Sequence, residues 1–178
     1  MEERLNKKSQ YIDCQRVFLR PATRDDIEDM LDWMRHTDVL KFLHQDITEE
    51  YITHLCIQRS GLYAIVLKTN ERCIGNIQIN VLSKQDVTIG YALNKAYWRQ
   101  GYMRESLQAL LEYLFQERDI WDVVASVHYD NFSSLKVLNS CGFSYIGSTT
   151  VQGKLCKSYI LINKKKKKSG NKEKRQSS

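Results

Sequence analysis

Apolar positions along the 178-residue chain follow two periods, and the points where the period changes divide it into elements. Tyr11–Leu19 ends on the alternating Val17-Phe18-Leu19 and stops at Arg20-Pro21, which predicts a first strand. Thr23 is suited to cap a helix, and acidic residues crowd the next turn, where the helix dipole favours them. Ile27, Met30, Leu31, Trp33 and Met34 form an apolar stripe that fades near His36. A second helix is expected over Thr48–Arg59, with Ile52, Leu55 and Cys56 on one face and Gly61 ending it. The pattern then shortens to strands at Leu62–Lys68, Cys73–Leu82 and Val87–Leu93, joined by the brief polar connections Thr69–Arg72 and Ser83–Asp86.

Gly101–Glu117 is the strongest helical pattern, with Leu107, Leu110, Leu111 and Leu114 at i, i+3, i+4 and i+7. Val123–Val127 reads as a short strand and Ser133–Cys141 as a short helix stopped by Gly142. Phe143–Val151 and Cys156–Ile162 close the pattern as a hairpin over Gln152-Gly153-Lys154. The order β-α-α-β-β-β-α-β-α-β-β predicts an α/β (α+β) class, a central twisted mixed sheet with helices on both faces. Residues 1–163 make one domain without repeats or internal linkers, and 164–178 make a Lys-rich tail expected to be disordered.

Charge changes this picture in one respect. The formal net charge is +6, but the tail holds eight Lys/Arg against Glu173 and so carries +7, leaving −1 on the domain. A near-neutral domain excludes the simplest nucleic-acid reading, which needs a basic surface on the fold itself. Within the domain, Arg24–Glu50 has three basic and nine acidic residues, a local −6. This is either a solvated helix face or a surface that attracts a cationic substrate.

The five cysteines (Cys14, Cys56, Cys73, Cys141, Cys156) include no CxxC pair, so neither a zinc site nor a disulfide framework is expected, and no metal. The opening MEERLNKKSQ has no apolar signal region and no run is long enough to span a bilayer, so a soluble cytoplasmic protein without membrane contact is expected.

Two stretches carry candidate chemistry. Tyr97–Ser106, YWRQGYMRES, lies between a strand and the start of the strongest helix, with Gly101 between Arg99 and Arg104. Free amides and the positive dipole end at such a junction suit an anion, though a plain strand-to-helix turn has the same pattern. Neither GxxxxGK[ST] nor GxGxxG occurs. His128–Phe143, HYDNFSSLKVLNSCGF, runs off a strand into a helix and sets Asn131 and Ser134 three residues apart. They either cap that helix or present polar atoms to a ligand at the strand ends.

Together, Ile89–Glu105 (IGYALNKAYWRQGYMRE), Tyr129–Phe143 (YDNFSSLKVLNSCGF) and Phe18–Met34 resemble the GNAT superfamily of acetyl-CoA-dependent N-acetyltransferases, and within it the ribosomal-protein N-terminal acetyltransferase branch. The resemblance spans Arg16 to Ile162. It implies the GNAT fold, acetyl-CoA as co-substrate, and an amine acceptor that is a small molecule or a protein N-terminus. The family's pyrophosphate loop falls on Trp98, Arg99, Gln100, Gly101, Tyr102 and Met103, with Arg104 beside the phosphates. Trp98 stands where the family has Gln or Arg, and Met103 where it has a small residue.

The resemblance further implies that the edge of Tyr91, Ala92 and Leu93 bonds the pantetheine arm, with the Leu93 amide polarising the thioester carbonyl. Asn131 matches an asparagine that contacts the arm. The family's tyrosine acid is replaced by Leu138, and Ser134 takes the place of a serine acid found in the resembling branch. No carboxylate lies in the Val87–Leu93 strand. His128, Asp130 and Glu50 are therefore the base candidates, His128 foremost, and Glu105 is read as a stabiliser of its own helix. Other readings are a catalytically weak acyl-CoA-binding module, a polyamine or aminoglycoside acceptor, and docking of the tail on ribosomal RNA or another polyanion. Homodimerisation through edge strands or the C-terminal hairpin is left open.

Overall fold

A computed structural model describes residues 11–43, 47–58 and 61–164. The expectations for the Lys-rich tail beyond Lys164 fall outside them. Eight strands form one sheet in the order β1-β2-β3-β4-β5-β6-β8-β7, with β1 Ile12–Asp13, β2 Val17–Pro21, β3 Leu62–Leu67, β4 Cys73–Val81, β5 Asp86–Leu93, β6 Asp122–His128, β7 Ser144–Val151 and β8 Lys154–Ile162. Every neighbouring pair is antiparallel except β5 and β6. The helices are α1 Ile27–Met34, α2 Thr37–Leu40, α3 Glu49–Gln58, α4 Tyr102–Glu117 and α5 Phe132–Ser140.

The strand β3 explains the layering. All six of its residues are buried, and its alternate side chains feed two separate cores. Tyr63, Ile65 and Leu67 pack with α4 and α5 through Leu107, Leu110, Leu114 and Leu138. Leu62, Ala64 and Val66 pack on the other face with Met30, Trp33 and Met34 of α1 and Ile52 and Leu55 of α3. A strand covered on both sides must be apolar at every position, which is why this run does not alternate.

Three elements differ from the sequence expectation. Tyr11–Leu19 is not one strand, because the chain reverses at Cys14–Arg16 and Ile12 pairs with Leu19. The stripe that fades at His36 restarts as α2, since the His36 ring accepts the Asp38 amide and caps a new turn. The last hairpin turns on two residues, Gln152 (φ 48°) and Gly153 (φ 77°), so β8 begins at Lys154. Two positive φ values in succession match the twist of the flanking strands.

The acidic segment is partly neutralised from outside. Arg20 holds Asp26 through two bonds of 2.7 and 2.8 Å, Arg72 pairs with Asp29, and Lys95 with Asp38. The Asp26 side chain is only 3% exposed, so Asp26→Asn leaves the Arg20 guanidinium poorly paired in a dry setting. The expected loss is about 3 kcal/mol in urea unfolding. Leu110→Ala, at a fully buried site, is expected to lose about 2–5 kcal/mol by the same measurement.

Candidate active site

The parallel pair β5–β6 opens partway along its length. Their register runs from Asp86 opposite Asp122 to Ile89 opposite Ala125 and stops there. Beyond it β5 stays with β4 as far as Leu93, and β6 stays with β8 as far as His128. A wedge results, with Gly90–Leu93 on one side and Ser126–His128 on the other. The Asn94 amide bonds Ile74 of β4. Antiparallel alternation then turns the Ala92 and Gly90 backbones toward β4 and those of Leu93 and Tyr91 into the wedge. The Leu93 carbonyl there is taken by the Trp98 indole at 2.7 Å. The Leu93 and Tyr91 amides face the wedge and must find partners in water or a ligand.

At one lip of the wedge, residues 98–101 turn sharply into α4. Arg99 (φ 60°) and Gly101 (φ 85°) are both left-handed, with Gln100 between them. Alternation of this kind makes a concavity lined by backbone N–H groups. Among the described residues no side chain caps α4, whose first intrahelical bond runs from the Glu105 amide to the Gly101 carbonyl. The Tyr102, Met103 and Arg104 amides therefore point out of a helix end that carries positive potential. Arg99 and Arg104 are exposed beside them. A Cβ on Gly101 would lie 3.4 Å from Arg16 Nη2, an ordinary contact, so its left-handed φ is the stronger reason for glycine here.

The side chains of the loop mostly serve its shape. Met103 is buried in the larger core, which leaves only its amide for a ligand. Trp98 packs against both cores while its N–H holds Leu93, and the Gln100 amide group bonds Ala96 at 2.9 Å. Glu105 does more than complement its own helix dipole. Its two oxygens accept from the Arg16 amide (2.6 Å) and Arg16 Nε (2.8 Å). Burial pushes its carboxyl up, but the Arg16 bonds outweigh this and hold its pKa below the usual value.

The other lip is α5. Asn131 caps it by accepting the Ser134 amide at 3.1 Å, which leaves its NH₂ group for other partners. Ser134 is buried, and its hydroxyl lies 2.7 Å from the Tyr91 phenol, whose oxygen is also 3.3 Å from the Ser134 carbonyl. Burial pushes the Tyr91 phenol well above its ordinary value, and its bond to Ser134 only partly offsets this. Leu138 is fully buried in the core.

On the α1/α3 face the floor of the wedge is small and polar. Gly90 and Ser126 are exposed in the middle of the sheet, and a side chain on Gly90 would meet nothing within 4 Å. Thr88 flanks them, and the hydroxyls of Ser126 and Ser158 lie 3.4 Å apart. His128 stands at the wedge end under Phe42, with ring centroids 5.9 Å apart. Its Nδ1 accepts the Asp130 amide, which leaves the ring hydrogen of the neutral form on Nε2.

Among the described residues no group of three His, Cys, Asp or Glu could hold a metal, and no helix is long and apolar enough to cross a membrane. The structure brings Tyr91, Leu93, Gly101–Arg104, Asn131 and Ser134 around one opening, with His128 at its end. Sequence reasoning missed the Tyr91 phenol, the inward turn of Trp98 and the role of Arg16. The only earlier sign of Arg16 was its place at the start of the resembling region.

A model of the acetyltransferase (GNAT) domain matches residues 16–144. The chain belongs to the GNAT acetyltransferase family. Its curated relatives include the uncharacterized N-acetyltransferase p20 of Bacillus licheniformis, 24% identical over 145 residues that cover 75% of this chain and 82% of that protein. A GNAT-family acetyltransferase from Bacillus anthracis superposes with a TM-score of 0.80 at 21% identity, over 85% of this chain and 98% of that one. RimL, a ribosomal L7/L12 α-N-protein acetyltransferase solved in complex with coenzyme A, superposes with a TM-score of 0.71 at 22% identity, over 85% and 97%. This acetyltransferase thus shares the mixed α/β fold of those enzymes.

The Glu105 pair predicts an acid-side effect of definite sign. A carboxyl whose folded pKa is depressed contributes stability above its unfolded value of about 4.3 and loses it as pH falls through the folded value. The stability of wild type relative to Glu105→Gln, measured by urea unfolding at stepped pH, is expected to be constant above pH 5 and to shrink below about pH 4.

Proposed function

We propose that this chain transfers an acetyl group from acetyl-CoA to a primary amine by direct attack. The observation that carries the reading is the opened β5–β6 pair lying beside an uncapped helix start. The amides of Tyr102, Met103 and Arg104, with Arg99 and Arg104, suit a pyrophosphate, and the Tyr91 and Leu93 amides suit the pantetheine arm. The coenzyme A complex of RimL supports this choice of co-substrate. The thioester would supply an activated acetyl group.

The chain's own groups then divide the work. The Leu93 amide donates to the carbonyl oxygen, where negative charge develops during attack. The new C–N bond forms as the C–S bond breaks, the amine passes a proton to water in the wedge, and the sulfur gains one through a serine hydroxyl that recovers its hydrogen from that water. Ser134 is the proton donor to sulfur. The Tyr91 phenol, kept protonated by burial, lies 2.7 Å from the Ser134 hydroxyl, and in this reading it donates to the Ser134 oxygen so that the serine hydrogen points into the wedge. Asn131 fixes the α5 turn that holds Ser134 and offers its NH₂ to the arm.

A relay through Cys14, Cys56 or Cys141 is disfavoured, because burial pushes the Cys141 thiol up and Cys14 and Cys56 to about 11. No carboxylate stands on β5 between Val87 and Leu93, and His128 Nδ1 is engaged by a backbone amide. In this reading His128 donates through Nε2 and is not the base, and the exposed Asp130 and Glu50 are not assigned that role. An acceptor that needs no dedicated base is an α-amine, whose unperturbed pKa of about 7.7–8.0 leaves a neutral fraction at pH 7. This favours a protein or peptide N-terminus over a polyamine or aminoglycoside. The neutral floor of Thr88, Gly90, Ser126 and Ser158 agrees with that choice better than the acidic segment does, since Asp26, Asp29 and Asp38 are already paired.

A panel of amines and short peptides screened for free CoA release tests the reaction, and peptide α-amines are expected to lead. Thioester binding without release on any amine would favour the acyl-CoA-binding module instead. Ser134→Ala is expected to cut kcat about a hundredfold and Tyr91→Phe by less, with little change in KM for acetyl-CoA. Gly101→Glu is expected to abolish acetyl-CoA binding in calorimetry while the circular dichroism spectrum stays native.

A further inference from the structure

Arg16 reaches four residues of one short loop distant in sequence. It sits where β1 turns into β2, and both oxygens of Glu105 accept from it, one from its amide and one from Nε. Nη1 donates to the Gln100 carbonyl at 2.9 Å, and the guanidinium lies 4.1 Å from the centre of the Tyr102 ring. Nη2 lies against Gly101, where a Cβ would stand 3.4 Å away. These contacts reach the loop at Gln100, Gly101, Tyr102 and Glu105, which is most of its turn into α4.

We propose that Arg16 is a positioning residue that makes the start of α4 an open anion site by withdrawing the Glu105 carboxylate from it. The proposal rests on the acetyl-CoA reading above. A glutamate in the first helical turn is attracted to the positive end of the helix, the region a phosphate would occupy. Left alone, Glu105 would compete there as a tethered anion and repel a bound one. With both oxygens on Arg16 it neither caps the Tyr102–Arg104 amides nor presents a net charge. The Nη1 bond also pins the backbone between the two left-handed residues Arg99 and Gly101, which keeps the concavity shaped before a ligand arrives. A guanidinium can bond in two directions and stack on Tyr102 at once, whereas an ammonium cannot.

The test uses the full chain and two probes, CoA and pantetheine, which lacks the phosphates. Calorimetric titration of Arg16→Met is expected to show CoA affinity about tenfold weaker than wild type. Pantetheine affinity is expected to be unchanged. Adding Glu105→Gln to Arg16→Met is expected to restore most of the loss, because the released charge is gone, and Glu105→Gln alone is expected to bind CoA close to wild type. Arg16→Lys, which keeps the charge, should fall between wild type and Arg16→Met, and it replaces that variant if the latter does not fold. A double variant as weak as Arg16→Met, or an equal loss for both probes, would overturn the proposal and reduce Arg16 to a stability element. Wild-type protein that binds no CoA would overturn the acetyl-CoA reading itself, and this inference with it.

Discussion

The separation of β5 from β6 is the constraint on which the rest of the site depends. Parallel strands gain evenly spaced hydrogen bonds along their whole shared length, so abandoning the pairing after Ile89 and Ala125 leaves backbone groups to be satisfied elsewhere. Each strand instead follows its antiparallel neighbour, β5 with β4 and β6 with β8, and the twist of the sheet carries the two apart. Part of the exposed edge is closed from within, by the Trp98 indole on the Leu93 carbonyl. The amides that remain open are those an extended ligand could use as a strand would.

The elements around the wedge are held by contacts remote in sequence. The loop of residues 98–101 takes its shape from two left-handed residues and from Arg16, delivered by the β1–β2 turn. The opposite lip takes its shape from Asn131 capping α5 and from Tyr91 reaching across to Ser134. Glu105 and Arg16 form a pair whose side chains are 15% and 40% exposed, so its direct contribution to stability is modest.

Charge in the first helices illustrates how a sum over sequence misleads about a surface. Arg24–Glu50 carries −6, yet Asp26, Asp29 and Asp38 bond Arg20, Arg72 and Lys95, all outside that segment. With those partners counted the region stands at −3. The floor under the wedge is instead made of Gly90 and hydroxyl side chains, which offer room and hydrogen-bonding groups and no charge.

Much of the fold was legible in the chain because its signals are local. The leucine spacing of α4, the unbroken apolar run of β3 and the glycine before α4 each report the environment of their own segment. The same holds for Asn131, whose capping role needs only the three residues after it. The reversal at Cys14–Arg16 was not legible, since alternating residues look alike whether a strand continues or folds back. Nor was the function of Arg16, which depends on a partner 89 residues away. Sequence by itself determined most of the elements, the order of those it showed and the residue types at the helix starts, because propensity and periodicity act over a few residues. Only the tertiary structure decided where the sheet opens, which side chains meet across the opening and which charges cancel, because those depend on contacts between segments that sequence order keeps apart.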